Sequence, residues 1–555
     1  MIYPEVPVGA LLAGSARRFG DRTAIRFGER ELSFATLHER ACAFAHALGD
    51  TGIGRGDVVA VHLPNCPQYA IAYYGILLSG ATFSPTNPLL PPADLAAQLA
   101  DCGAVAAVSW VPAAPALAAV QGRTAIRLVL LTDRDQALDP GHRVALEAVH
   151  GARDFEAFHA DAPTTAPEVV VDVHHDLAHL AYTGGTTGRS KGVQLPHRNV
   201  VVNTLQYACW GTGSTPALDD RGGVVLDQTG TAEEYPTRLG TGVAINLTPW
   251  FHAMGTVGAL NVPTITGGTT VLHERFDPGA YLADAERFAV TSIGGAPPIY
   301  GALLRHPEFG TRDLSSVRSL TSGAAPLPVE MIQGLQRVLG EDVVITEGYG
   351  LTEVTMGATI GPAARSAVRK VGTVGLPVHD TEVRVVDPAG EDLTPLPTGE
   401  AGEVVIRGPQ VMVGYKDRPE ENAATLVDGW LRTGDIGVLD AEGYLSIVDR
   451  KKDMLLYKGY NVYPRDLEEL LHAQAGVLGA AVVGRPDPEV GELPVAFVVA
   501  PGLADPEALM AAVNEQVTPY KRLRELRLVD AIPVSAAGKV LKRELRERLR
   551  EDPAT

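Results

Sequence analysis

The sequence predicts an α/β protein: a large N-terminal α/β body of several subdomains, with a small β-subdomain, followed by a smaller C-terminal α+β domain. Three observations carry this. Apolar residues make up 45% and charged residues 20% of the 555, the balance of a globular chain too long for one hydrophobic core and expected to split into about two to four domains. Segments with helical spacing of apolar residues alternate with short apolar strands, the rhythm of layered α/β folds. A charged break, Asp449-Arg450-Lys451-Lys452-Asp453, precedes about a hundred further residues with their own β/α alternation.

Taken in chain order, the opening MIYPEVPVGALLAGSARRFG has no basic residues ahead of its apolar stretch, and no run of 18 apolar residues occurs. Neither an export signal nor a membrane-spanning helix is read from it, and peripheral membrane contact stays open. Helix-like FATLHERACAFAHALGD precedes strand-like DVVAVHLP, and helix-like YLADAERFAV precedes strand-like TSIGG, so the α/β rhythm runs to about residue 350. Residues 211–240 are polar, glycine-rich and acidic and read as a long excursion. From about 371 to 449 come the short β-rich pieces TEVRVVD, GEVVIRG and GYLSIVD, the β-subdomain. The boundaries drawn are 1–449 for the N-terminal domain and 450–555 for the C-terminal one.

The net charge of −19 repels polyanions and argues against a nucleic-acid partner. Cys42, Cys66, Cys102 and Cys209 are scattered, with no C-x-x-C pair, which fits a reducing cytoplasm better than a disulfide scaffold or zinc knuckle. His175 and His179 have the i, i+4 spacing of a zincin helix. The segment reads as a strand, however, where that spacing does not bring both rings to one metal.

The stretch YTGGTTGRSKG at 182–192 is the most informative. Gly188, Ser190 and Gly192 fit G-x-S-x-G, but a nucleophile elbow needs a strand running directly into the serine. Strand-like DLAHLAY ends at Tyr182, eight residues before Ser190, and the following GVQLPHRN begins a helix only after an Asn199 cap. A Walker A loop fails as well, because Gly192 follows Lys191. The composition still suits phosphate. Glycines let backbone N–H groups turn inward, Thr183, Thr186 and Thr187 add hydroxyls, and Lys191 adds a compact positive charge.

Further motifs fall in order: TPWFHAMG at 248–255, SGAAPL at 322–327, EGYGLTE at 347–353, GWLRTGDIG at 429–437, DRKKDMLLYKGYNVYPRDLEE at 449–469 and PVSAAGKVLKREL at 533–545. With the glycine-rich loop, this series resembles the adenylate-forming superfamily of acyl-CoA synthetases, peptide-synthetase adenylation domains and luciferases. The resemblance implies a two-step reaction in which a carboxylate attacks the α-phosphate of ATP, giving acyl-AMP and pyrophosphate, and a thiol then displaces AMP. ATP, Mg2+ and CoA are the implied cofactors.

The resemblance also assigns residues. The nucleotide site takes Thr183, Gly184, Gly185, Thr186, Thr187, Gly188 and Lys191 around the β- and γ-phosphates. Gly323, Ala324 and Ala325 give a close backbone wall, Glu347, Gly348, Tyr349 and Gly350 the adenine face, and Thr352 a donor to the α-phosphate. Glu353 is the expected metal ligand, Asp435 the ribose ligand and Arg450 its helper. Lys539 spans the α-phosphate and the attacking carboxylate, where a positive charge stabilises the transition state. The C-terminal domain is implied to be mobile, rotating about Lys452 so that Lys458, Gly459 and Tyr460 replace Lys539 and meet CoA. His252 lines the junction of acyl group and pantetheine. The basic run KRLRELR at 521–527 reads as a solvated segment.

His252 stands where amino-acid-selecting domains usually carry aspartate, and no fatty acyl-AMP-ligase insertion interrupts residues 453–461. The expectation is therefore an AMP-forming acid:CoA ligase for a hydrophobic, fatty acid. An aryl-acid ligase and an enzyme loading a separate carrier protein are the alternatives, and a homodimer is left open. The acyl pocket is expected around residues 294–301 and 322–327. Leu456 departs from the lysine found near this position in luciferases and coumarate-type ligases.

Overall fold

The segment FATLHERACAFAHALGD forms the helix Phe34–Asp50, whose N-cap Ser33 accepts a hydrogen bond from Thr36 N at 3.1 Å. DVVAVHLP contributes the strand Val58–His62, and the next helix, Pro67–Leu78, is apolar all round and buried along its length, as a helix without a polar face must be. The structure is a computed structural model and describes residues 1–183, 190–323, 327–390, 392–458, 460–502, 505–534 and 540–551. These fall into two compact units, one of residues 1–183, 190–382 and 407–426, the other of residues 383–406 and from 427 onward.

The first unit contains two large sheets and a small hairpin. In the eight-stranded sheet, Leu177–Tyr182, Thr82–Pro85, Val58–His62, Ala104–Trp110, Leu128–Thr132 and Arg153–Asp154 run parallel, and the sheet turns antiparallel at Gly192–Pro196 and Gly414–Tyr415. The nine-stranded sheet carries the adjacent parallel strands Val344–Tyr349, Ser319–Ser322, Ser292–Gly295 and Val243–Asn246. Tyr281, Tyr300, Leu303, Leu320 and Leu335 pack as one buried cluster with that sheet.

The second unit holds the β-rich pieces Glu382–Val386, Gly402–Arg407, Trp430–Leu439 and Leu445–Arg450 in one five-stranded sheet. A second five-stranded sheet, built on the long hairpin Gly479–Asp487 and Gly491–Val499, packs helices on both faces. Leu467 and Leu471 of Pro464–His472 and Leu509 and Val513 of Pro506–Asn514 join one core cluster. Leu545 and Leu549 of Lys542–Glu551 join the other. The fold class is α/β with a smaller α+β portion, as the sequence predicts.

Three local expectations are corrected. The helix after the glycine-rich loop begins at His197, not after Asn199: Pro196 ends the strand with φ −58°, ready for a helix start, and Asn199 Nδ2 instead donates to Val411 O at 2.6 Å. Residues 211–240 are not wholly irregular. Ser214–Leu218 and Val224–Gln228 pair as an antiparallel hairpin, tied down by a two-pronged ion pair from Arg17 to Asp219 at 2.7 and 2.8 Å. The basic run at 521–527 is only partly solvated, because Glu525–Leu528 joins the sheet beside Gly491–Val499 and Leu523 is buried.

All four cysteines are buried and free, and desolvation pushes their thiols up to between about 11 and 12. A thiol reagent at pH 8 is expected to modify none of them in the folded protein and all four in denaturant. Fast modification in native buffer would show that one of these sites opens.

Candidate functional site

The glycine-rich stretch is the connection of an antiparallel hairpin. Leu177–Tyr182 pairs with Gly192–Pro196, with Tyr182 opposite Gly192. The neck is closed by Thr183 N donating to Lys191 O at 3.2 Å and by Ser190 Oγ donating to Thr183 O. Ser190 is thus a neck hydroxyl on a hairpin rather than the tip of a strand-to-helix elbow. Gly184, Gly185, Thr186, Thr187 and Gly188 lie outside the described residues.

Beside this hairpin runs Gly414–Tyr415, pairing Tyr415 with Val193. The Lys191 ammonium lies 4.8 Å from the centre of the Tyr415 ring, and the Tyr415 hydroxyl donates to Glu353 Oε1 at 2.7 Å. On the other flank, Asp101 accepts from Tyr182 OH at 2.7 Å and from Arg418 at 3.1 Å. Burial and the neighbouring Glu353 charge raise the Tyr415 pKa, which keeps its phenol a donor.

TPWFHAMG, GGAPP, SGAAPL and EGYGLTE all follow the carboxyl ends of the four adjacent parallel strands named above. That edge is where open α/β sheets hold ligands, because loops there fan out from a rigid base. Gly323 N donates to Gly295 O at 3.1 Å, so the two segments expected to form the acyl pocket adjoin. Ala324 and Ala325 lie outside the described residues. Glu347 is half-buried and its Oε1 accepts from Leu327 N at 2.8 Å, which anchors the far end of SGAAPL. Tyr349 pairs with Thr359, and Gly348 with Ile360. At Gly350 a Cβ would fall 2.0 Å from Met356 O, so the backbone crossing there admits only glycine.

Thr352 and Glu353 occupy a single turn, Thr352–Val354, that ends at Thr355 with φ 70° and ψ −54°. Met356 N donates to Val354 O at 2.8 Å, closing a tight three-residue turn around Thr355. A β-branched residue in that conformation is strained, and its hydroxyl is held by Gln410 O at 2.7 Å. Met412 N reaches Glu353 O at 2.8 Å, so segment 410–415 grips the turn at three points. His252 is exposed at the entrance to a stretch of π-helix, Met254–Asn261. Such stretches are rare and concentrate at functional sites. Gly255 there is forced by Pro249 O, 1.9 Å from where its Cβ would lie.

In the second unit, Asp435 and Arg450 face each other as register partners on neighbouring strands, 3.5 Å apart, with Asp435 only 7% exposed. Thr433 Oγ1 accepts from Asp435 N at 3.1 Å and donates to Val404 O at 2.7 Å, fixing the strand bend that presents the carboxylate. Lys452 lies two residues on and stays more than a third exposed; partial desolvation and the nearby Arg450 charge lower its pKa. Lys458 turns the hairpin of Leu455–Tyr457 and Tyr460–Val462 with φ 51°, and its N donates to Val490 O at 2.7 Å. Tyr460, 58% exposed, stacks on Tyr520 at 4.8 Å, and Arg524 sits 5.1 Å from the Tyr457 ring. Gly459 and Lys539 lie outside the described residues.

The structure therefore gathers Thr183, Lys191, Gly323, Glu347, Tyr349, Thr352 and Glu353 on elements of the first unit, and Asp435, Arg450, Lys452, Lys458 and Tyr460 on the second. Sequence reasoning missed Tyr415, Thr355 and Tyr520. The Gly-Tyr of VMVGYKDRPE was the one available signal, since a glycine before a lone aromatic in a β-rich stretch marks close packing.

The family description "AMP-binding enzyme" matches residues 12–416, and "AMP-binding enzyme C-terminal domain" matches residues 466–539. The chain is 35% identical to a long-chain-fatty-acid–CoA ligase of Bacillus subtilis, across 99% of this chain and 96% of that one. It is 34% identical to a feruloyl-CoA synthase of an Amycolatopsis species, across 96% and 97%. Its fold is similar to that of the ATP-bound MatB crystal structure from Rhodopseudomonas palustris, with a TM-score of 0.84 at 27% identity over 98% of this chain and 99% of that one.

Proposed function

The chain belongs to the AMP-binding enzyme family and is an acid–thiol ligase of the AMP-forming acyl- or aryl-CoA kind; from that premise we propose that its acid is hydrophobic, a medium- or long-chain fatty acid joined to CoA in the cytoplasm. The observation that carries the choice is a pair of methionines packed at and beside the segments expected to form the acyl pocket. Met254 reaches within 3.2 Å of where a Gly323 Cβ would lie, and Met356 within 2.9 Å of that point at Gly258. Flexible thioethers repack around chains of different length. The kinship with a long-chain-fatty-acid–CoA ligase supports the same reading.

In this proposal the Thr183-to-Lys191 loop cradles the β- and γ-phosphates, Thr352 donates to the α-phosphate, and Tyr349 with residues 323–325 walls the adenine. Asp435 accepts from both ribose hydroxyls while Arg450 holds its carboxylate in place. Lys539 lies between the α-phosphate and the attacking carboxylate, and its fixed charge favours the transition state over the ground state. Glu353 offers a hard carboxylate oxygen suited to Mg2+. When bound, Mg2+ neutralises charge on the leaving pyrophosphate. Lys452 is the proposed pivot between the half-reactions, Lys458, Gly459 and Tyr460 the proposed CoA contacts, and His252 the residue at the acyl–pantetheine junction.

A second reading, an aryl-acid CoA ligase, is favoured by SGAAPL and by kinship with a feruloyl-CoA synthase. A panel of aliphatic and aryl acids in an AMP-release assay separates them, with CoA or a carrier protein as acceptor. The fatty-acid reading expects kcat/KM to rise with chain length, since each buried methylene contributes about 0.8 kcal/mol. Turnover confined to aryl acids would overturn it, and thioester formation only on the carrier would replace CoA as acceptor.

A further inference from the structure

We propose that Tyr415 is a positioning residue of the adenylation step, one that holds the Glu353 carboxylate with its hydroxyl and the Lys191 ammonium on its ring face. The proposal rests on the reading above, in which Glu353 and Lys191 serve the triphosphate. One rigid side chain then fixes the spacing between a carboxylate that meets the metal and an ammonium that meets phosphate. Neither group has to be reorganised when ATP arrives.

The geometry is unusually well braced. Tyr415 is buried, and its backbone is clamped on both sides by one amide: Tyr415 N donates to Asn422 Oδ1 at 2.7 Å, and Asn422 Nδ2 donates to Tyr415 O at 2.9 Å. Its neighbours are pinned to the hairpin strand, Val413 N to Gln194 O at 3.2 Å and Lys416 N to Gly192 O at 2.8 Å. The ring therefore cannot drift from the hairpin that carries Lys191. From the same strand it reaches Glu353 at 2.7 Å, on a turn itself held through Met412 and Thr355. A hydrogen bond to a charged acceptor and a shielded cation–π contact are the stronger members of their classes. A tyrosine needed only for packing would be replaced by phenylalanine without consequence.

The test measures ATP binding to the full chain by calorimetry, without acid so that nothing turns over, at a series of Mg2+ concentrations. Both half-reactions are followed in parallel. Tyr415→Phe keeps the ring and loses the hydroxyl, so the Mg2+-dependent part of ATP affinity is expected to fall by about tenfold. The KM for the acid and the rate of thioester formation from supplied acyl-AMP should stay at wild-type values. Tyr415→Leu is expected to weaken ATP binding without Mg2+ as well, by about threefold, because Lys191 loses its seat. Glu353→Gln and Lys191→Ala calibrate the assay. If these two weaken Mg2+–ATP binding and Tyr415→Phe, melting like the wild type, does not, the proposal is overturned. Equal loss in both half-reactions for Tyr415→Phe would also overturn it, since that marks a packing role. If Glu353→Gln and Lys191→Ala bind as the wild type does, the reading of the triphosphate site fails first and takes the proposal with it. Should Tyr415→Leu not fold, Tyr415→Phe decides alone.

Discussion

Lys539→Ala is expected to cut acid-dependent pyrophosphate release by about 10²–10³-fold or more while leaving thioester formation from supplied acyl-AMP and CoA near the wild-type rate. The asymmetry follows from where charge develops. In the first step a carboxylate anion approaches a phosphate anion, so the transition state concentrates negative charge that a fixed ammonium stabilises more than it stabilises the separated reactants. In the second step a thiolate attacks the uncharged acyl carbon of the mixed anhydride and AMP leaves with the bonding pair, so the reacting centre is one step removed from the phosphate charge, and the proposed surroundings are Lys458 to Tyr460 instead. Stopped-assay measurement of both half-reactions on one preparation decides the matter. Equal loss in the two would remove Lys539 from the role given to it here.

Acid should unfold the first unit well before the carboxylates titrate. Four histidines there are buried and neutral: burial pushes His62, His159 and His197 down to about 4 and His179 down to about 3. Burial outweighs the carboxylates near two of the rings, Glu156 at 3.9 Å from His159 and Asp176 near His197. His62 meets Ser109 Oγ at 2.9 Å, His159 meets Phe155 O at 2.9 Å with Arg40 nearby, His179 meets Tyr73 OH at 3.0 Å, and His197 accepts from Val8 N at 3.2 Å. Folded values below the unfolded 6.5 mean that the unfolded chain takes up protons first. The stability is therefore complete above about pH 6.5 and drains away as pH falls toward 4. At pH 5 each histidine costs about 2 kcal/mol, and four together rival the whole stability of an ordinary domain, about 5–15 kcal/mol. The urea midpoint should drop steeply between pH 7 and 5, and a flat profile over that range would contradict the burial of these rings.

Much of this protein is legible in its sequence because the informative features are local. Helical spacing in FATLHERACAFAHALGD, alternation in the β-rich pieces, and glycine at crossings such as Gly350 are consequences of nearest-neighbour sterics and period, which the sequence carries within a few residues. The Asp435–Arg450 pair was foreseeable through resemblance, and the hairpin of Trp430–Leu439 and Leu445–Arg450 needs only a short turn to make it. The Asn199 cap failed for the opposite reason. A residue with every local qualification was claimed by Val411 O, 212 positions away.

What the sequence determined, then, is the α/β class, the order of the motifs and the residue types at their tips. What only tertiary structure decided is which distant segment braces them. Tyr415 meets Glu353 across 62 residues and Lys191 across more than 200. It does so because Gly414–Tyr415 adds as an edge strand to Gly192–Pro196. A two-residue strand has no periodicity to read, and its register is set by hydrogen bonds to a partner that exists only once the sheet has formed. The charges at the glycine-rich hairpin and the acidic turn are written in sequence, and the ring that joins them is a property of the folded sheet.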